Sequence, residues 1–185
     1  MRIVGGRFRG LGLAAVGKGD PGAHLRPTSD RVRESLFNLL VNGAMGDVVE
    51  DAEVLDLFAG TGALGLEALS RGATFATFVE NGRTGARLIT ENIAKARAET
   101  DTRLLKCDAT RLPQAERAAS LVFLDPPYGK GLGDRALASA MDRGWIAPDA
   151  TIVWEENAPQ VPPDGFRAVD ERRYGDTVVS ILRAG

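Results

Sequence analysis

Cysteine and histidine are almost missing from this chain: Cys107 and His24 are the only representatives. A lone cysteine excludes an internal disulfide and suits a reducing compartment. One thiol and one imidazole leave too few ligands for a zinc or iron centre, so no metal is expected. Long apolar runs are lacking too. Nothing approaches the ~20 consecutive apolar residues that cross a bilayer, and Met1–Gly6 lacks the apolar core of a signal peptide. A cytoplasmic protein free of membranes is the expectation. Strong net charge is absent as well, the total being −2, but its distribution is uneven. Residues 1–40 hold seven basic and three acidic side chains, a net charge of +4, leaving −6 for the rest. Such asymmetry suits a polyanion-facing N-terminal segment on a less basic body.

What is present is globular: 44% hydrophobic and 26% charged residues over 185 positions, the length of one domain. Ile3-Val4 and Leu11–Leu13 flank the glycine-punctuated Gly6–Gly10 and read as a short hairpin. Residues 17–27, with three glycines and two prolines, read as a loop. Thr28 then has the position of a helix N-cap, with Val32, Leu36, Leu39 and Leu40 on one face. From residue 53 strands and helices alternate: strands at 54–57, 74–79, 103–106, 121–124 and 151–154, helices at 63–71, 83–98 and 133–143. Alternation of this kind implies parallel pairing with helical crossovers. Phe166–Val169 and Thr177–Leu182 lie too close together for a crossover and predict an antiparallel hairpin closing the sheet. The expectation is one domain, 1–185, with residues 1–27 as an N-terminal hairpin and loop extension and 28–185 as a helix plus α/β core.

Two motifs carry chemistry. Val54–Leu57 runs into Phe58-Ala59-Gly60-Thr61-Gly62-Ala63-Leu64-Gly65, a buried strand, a glycine turn and a helix start. Glycines there allow a tight turn and close approach of backbone to a ligand. An acid, Glu80, follows 20 residues after Gly60, where a carboxylate can accept ribose hydroxyls. The pattern also satisfies the dinucleotide fingerprint, so by itself it admits both NAD and S-adenosylmethionine (AdoMet). Asp56 tilts the balance, because a carboxylate at the strand end suits an ammonium and repels a pyrophosphate. Asp108, after the third strand, could accept from an adenine amine or simply cap a helix over Thr110–Glu116.

The second motif, Asp125-Pro126-Pro127-Tyr128, follows the apolar strand Leu121–Leu124. In doubly wound sheets ligands gather at the C-terminal strand ends, so this loop should adjoin the glycine turn. An exocyclic base amine is a poor nucleophile because its lone pair is delocalised. Acceptance of its two N–H groups by the Asp125 carboxylate and the Pro126 carbonyl would drive the nitrogen toward tetrahedral geometry. The two prolines stiffen the loop, and Tyr128 offers a face for an extruded base, worth ~1–3 kcal/mol. Either motif alone is a common turn; together they point to methyl transfer onto a base amine. An NAD oxidoreductase would need a proton donor that the lone histidine does not evidently supply. A non-catalytic assembly factor would not need Asp125 and Tyr128.

With these residues in place, the sequence resembles the bacterial 16S rRNA guanine-N2 methyltransferases of the RsmD type. The matching segments are Ile3–Gly10, Arg26–Asn38, Asp56–Ala73, Asp125–Tyr128 and Arg172–Val178. The resemblance implies a Rossmann-like, mostly parallel seven-stranded sheet with a C-terminal antiparallel hairpin and a small N-terminal β-hairpin extension. It implies methyl transfer from AdoMet to N2 of one guanine in 16S rRNA, in the assembling or assembled small subunit; separately, a monomer is expected. Cofactor contacts are expected at Thr28, Asp56, Phe58, Gly60, Gly62, Glu80, Asp108 and Ala109, and the target amine at Asp125, Pro126, Pro127 and Tyr128. Arg7, Arg9, Arg31 and Arg33 are expected at RNA phosphates, although one of the helical pair Arg31 and Arg33 could instead pair with Asp30 or Glu34. Asn81-Gly82-Arg83 departs from the family, where a further acid or lysine is common. The alternative within the same chemistry is an adenine-N6 methyltransferase acting on DNA or RNA.

Overall fold

The computed structural model describes residues 1–17 and 28–185. The expected loop at 17–27, with His24, therefore lies outside the described residues apart from Gly17. Twelve elements follow in order among the described residues. They are α1 (Asp30–Asn42), β1 (Glu53–Leu57), α2 (Ala63–Ser70), β2 (Phe75–Val79), α3 (Arg83–Ala96), a single 3-10 turn at Glu99–Asp101, β3 (Thr102–Leu105), β4 (Ala119–Leu124), α4 (Leu132–Asp142), β5 (Ile146–Glu156), β6 (Phe166–Tyr174) and β7 (Thr177–Ala184).

The seven strands form one sheet in the order β3-β2-β1-β4-β5-β7-β6. β1 pairs in parallel with β2 and β4, and the remaining core strands follow suit; β7 and β6 pair antiparallel, as the close spacing of the last two apolar runs predicts. Strand order reverses between β1 and β4, so this is the topological switch point at which doubly wound sheets bind ligands. Strands covered on both faces become continuous apolar runs. Leu55 and Leu57 of β1 face Val122, Leu124, Trp154 and the α4 residues Ala136, Leu137 and Ala140. Val54 shares the opposite face with Phe78, Phe123 and the buried sides of α1, α2 and α3. Both tryptophans, Trp145 and Trp154, are buried as packing residues. β6, the edge strand, carries charged residues and is largely exposed, which blunts edge-to-edge association.

Two local expectations are corrected. The helix cap is Ser29, whose hydroxyl accepts from Val32 N at 3.2 Å; Thr28 is engaged elsewhere. No helix forms over 110–116. Asp108 instead closes a turn by accepting from both the backbone N and the hydroxyl of Thr110, each at 2.8 Å.

The N-terminal hairpin is a skeleton of three backbone bonds, Ile3 N to Leu11 O, Gly10 N to Ile3 O and Leu13 N to Met1 O, around the single bridge Arg2–Gly12. Its other polar groups are drawn to α2. Val4 N and Gly5 N donate to the two carboxylate oxygens of Glu67 at 2.9 and 2.8 Å, while Arg7 N reaches Ser70 O. Gly6 takes φ +75° there, and a Cβ would fall 1.7 Å from Ser70 O. Arg33 of α1 and Arg71 of α2 complete the Glu67 cluster, their Nε atoms at 3.4 and 2.8 Å. Glu67 and Arg33 are fully buried. Removing one partner of such a cluster strands the other charge, a loss of about 3–5 kcal/mol. Glu67→Ala is accordingly expected to lower unfolding free energy by about that much in urea titrations, and a loss below ~1 kcal/mol would contradict the assignment.

Candidate active site

The site is assembled at the C-terminal ends of β1, β2, β4 and β5. β1 ends at Leu57, and Phe58 then takes φ +58°, a left-handed conformation costly for a bulky side chain. Gly60 (φ +58°) and Gly62 (φ +79°) continue the turn into α2. Gly62 gives α2 no side-chain cap. Asp56 serves instead: its Oδ2 accepts from Gly65 N at 2.9 Å. A Cβ on Gly65 would lie 2.4 Å from the Phe78 ring and 3.1 Å from Asp56, so glycine is required for that approach.

Glu80, just past β2, spans the turn from the other side. Its two oxygens accept from Gly60 N (2.8 Å) and Gly82 N (2.7 Å). A Cβ on Gly85 would meet this carboxyl at 2.8 Å. Asp56 is 1% exposed, and no salt bridge reaches it among the described residues. Burial pushes its pKa up to about 8, the Gly65 N–H opposing and the Glu80 charge reinforcing the rise. A buried carboxyl lacking a cation, beside a glycine turn and a ribose-height acid, fits a ligand that carries its own ammonium. Asp108 differs: the Thr110 hydrogen bonds hold its carboxyl below the usual range. Ala109 beside it is buried.

The second loop lies alongside. Leu57 and Leu124 are direct partners in the β1–β4 ladder, and Asp125 N approaches Leu57 O at 3.5 Å. The two tips that the motifs require to adjoin do so. Asp125 directly follows β4 and is half-buried. Burial raises its pKa well above the usual range, and the charges of Glu155, Asp56 and Glu156 raise it further. Pro126 is buried and Pro127 exposed. Tyr128 is half-buried, and its hydroxyl donates to Glu155 Oε1 at 3.0 Å, with Thr177 Oγ1 at 3.4 Å. Glu155 Oε2 accepts from the Thr28 hydroxyl at 3.2 Å. Beyond the loop, Gly133 of α4 packs flat on the Trp154 ring, where a Cβ would sit 2.3 Å away.

Glu155 and Glu156 were absent from the sequence reading. Their signal is an acid pair ending the apolar fifth strand, at the sheet edge where ligands bind. Asn92 of α3 was also missed. Its buried carboxamide bonds both the N and O of Ala14 in the extension (2.6 and 3.1 Å) and the O of Thr61 in the glycine turn (2.9 Å). Of the two readings for the helical pair, Arg33 takes the ion-pair one and is corrected as a phosphate ligand: it is buried and bonded to Asp30, as well as to Glu67, Thr28 O and Arg2 O. Arg31 and Arg9 are exposed, and Arg7 is exposed while contacting Asp101 at 3.2 Å.

A mostly parallel sheet with two ligand loops at its switch point defines a Rossmann-like methyltransferase. The family described as Conserved hypothetical protein 95 matches residues 1–183, and the chain belongs to it. It is 42% identical over 167 residues to the ribosomal RNA small subunit methyltransferase D of Escherichia coli (strain K12), covering 88% of this chain and 79% of that one. The protein of the same name from Haemophilus influenzae is 33% identical over 181 residues, covering 95% and 89%. Among solved structures, the E. coli protein yhhF superposes with TM-score 0.82 at 35% identity, covering 100% of this chain and 97% of that one. Methyltransferases of this kind use an AdoMet-type methyl donor.

Because the folded pKa of Asp56 lies above its ordinary 3.8, the folded state holds that proton more tightly than the unfolded chain. Stability without ligand should therefore fall as pH rises from about 4 to about 8. Asp56→Asn is expected to stabilise the ligand-free protein at pH 8.5 by about 1–3 kcal/mol, the gain vanishing towards pH 4. The same variant should lose AdoHcy binding in calorimetry. Unchanged affinity would exclude Asp56 from the donor site.

Proposed function

We propose that this protein transfers a methyl group from S-adenosylmethionine to the exocyclic N2 amine of a guanine in 16S rRNA, acting as a cytoplasmic monomer on the assembling or assembled small subunit. The single observation that carries the reading is the pairing of Leu57 with Leu124, which sets the Asp56–Gly62 turn against Asp125–Tyr128. The relatives named ribosomal RNA small subunit methyltransferase D support the substrate class.

Asp56 takes the methionine ammonium and Glu80 the ribose hydroxyls, with Phe58, Gly60 and Gly62 lining the turn beneath. Asp108 and Ala109 border the adenine, and Thr28 leans over the methionine end while tied to Glu155. When bound, the donor supplies an electrophilic methyl on a sulfonium, which leaves as a thioether. Asp125 and the Pro126 carbonyl accept the two N–H groups of the guanine amine, localising its lone pair toward that methyl. Pro127 holds the loop stiff, and Tyr128, pinned through Glu155, presents its ring to the base. As the N–C bond forms, the nitrogen sheds one proton. The Asp125 carboxylate, already hydrogen-bonded to that N–H, receives it. Positioning and acceptor electrostatics supply the acceleration. Arg7, Arg9 and Arg31 meet RNA phosphates without reading sequence.

The test is methylation of small subunits and of 16S rRNA with labelled donor, followed by digestion to nucleosides. N2-methylguanosine is expected; N6-methyladenosine or no incorporation overturns the assignment. Asp125→Ala is expected to lower kcat by at least ~10²–10³ with AdoHcy affinity nearly unchanged in calorimetry. Wild-type turnover would remove Asp125 from the mechanism.

A further inference from the structure

The flank of the sheet that carries α4, opposite the N-terminal extension, holds a groove of about 530 Å³ between α4 and the turn after β3. Neither Asp56, Gly60, Gly62, Glu80 nor Asp125 lines it, so it is separate from the cleft. Its charged lining is Arg111, Arg135 and Arg143 against Asp142 alone. All three arginines are exposed, and none forms a salt bridge with another described residue. In a chain of net charge −2, three guanidiniums against one carboxylate along a groove are a local charge of opposite sign to the whole.

The walls are stitched together rather than loosely apposed. Leu112 N donates to Ser139 Oγ at 2.9 Å, and Ala115 N and Gln114 Nε2 both donate to Arg143 O, at 2.9 and 3.0 Å. The backbone that carries the arginines is thus a fixed frame, which leaves only their side chains to be ordered on binding. Arg135 and Arg143 stand roughly 12 Å apart along the helix direction, more than one charge repeat of a nucleic-acid strand. Arg111 and Arg135 also add to the depression of the Asp108 carboxyl behind its Thr110 hydrogen bonds, so the groove's upper end borders the donor cleft. Planar guanidiniums suit phosphate oxygens as bidentate partners.

We propose that Arg111, Arg135 and Arg143 bind the phosphodiester backbone of the RNA substrate, forming a second electrostatic track on the flank opposite Arg7, Arg9 and Arg31, so that the RNA straddles the strand tips. The inference rests on the RNA reading above. The experiment reverses charge at the three positions, Arg111→Glu, Arg135→Glu and Arg143→Glu, singly and combined. Binding to small subunits is read across salt concentrations, with AdoHcy affinity as the check on fold and cleft. Arg87→Glu on α3 serves as the control of equal charge change. Each groove variant should flatten the slope of log affinity against log salt by ~0.7–0.9. The triple variant should raise the KM for RNA at least tenfold with kcat at saturating RNA and AdoHcy affinity unchanged, and the triple Arg→Lys variant should recover most of the loss. A wild-type slope and KM in the triple charge reversal, or an equal loss in Arg87→Glu, overturns the groove while leaving the RNA assignment standing. Failure of the wild-type protein to bind or methylate RNA overturns both.

Discussion

The β1–β4 ladder is the constraint from which the site follows. Because Leu57 and Leu124 are register partners, the chain has no choice but to leave both strands at the same height and on neighbouring tracks. The Asp56 charge is then close enough to help raise the Asp125 carboxyl. A shift of one residue in that register would exchange the side chains of β4 between two differently shaped packed faces, so packing on both faces of the sheet enforces the geometry of the strand tips. Chemistry here is anchored by hydrophobic pairing some distance below it.

The cleft is poor in cations by construction. Asp56, Asp125 and Glu155 all titrate above their ordinary ranges, each chiefly through burial. Free protein therefore tends to keep protons where a charged ligand would displace them. A donor with an ammonium and a sulfonium brings the missing positive charge, and a demethylated product has lost the sulfonium.

Local signals carried most of the fold. Apolar periodicity placed every strand of the core, and the short spacing of the last two apolar runs gave the antiparallel pair β6–β7. Boundaries slipped where distant segments decide them: β5 begins at Ile146 rather than Thr151 because its early residues pair with Ala119. The two motifs were legible because each is contiguous. Arg33, Glu67, Asn92 and Glu155 were not, since each acquires its meaning from partners on remote segments. Arg33 reads as a surface cation in a basic stretch until Glu67, 34 positions away, draws it inside. Glu155 reads as a strand-end acid until Tyr128 and Thr28 converge on it. Thr28 lost its capping role to Ser29 by one position, a difference within the reach of side-chain choice alone.

Asn92 gives the N-terminal arm a standing beyond that of an appendage. One carboxamide holds Ala14 as a peptide group would and props Thr61 from below. Arm seating and turn shape thereby share a single free-energy term. Loss of that carboxamide would strip hydrogen-bond partners from the Ala14 and Thr61 backbones at once. One side chain of α3 thus ties the extension to the glycine turn, so neither segment can shift without disturbing the bonds of the other.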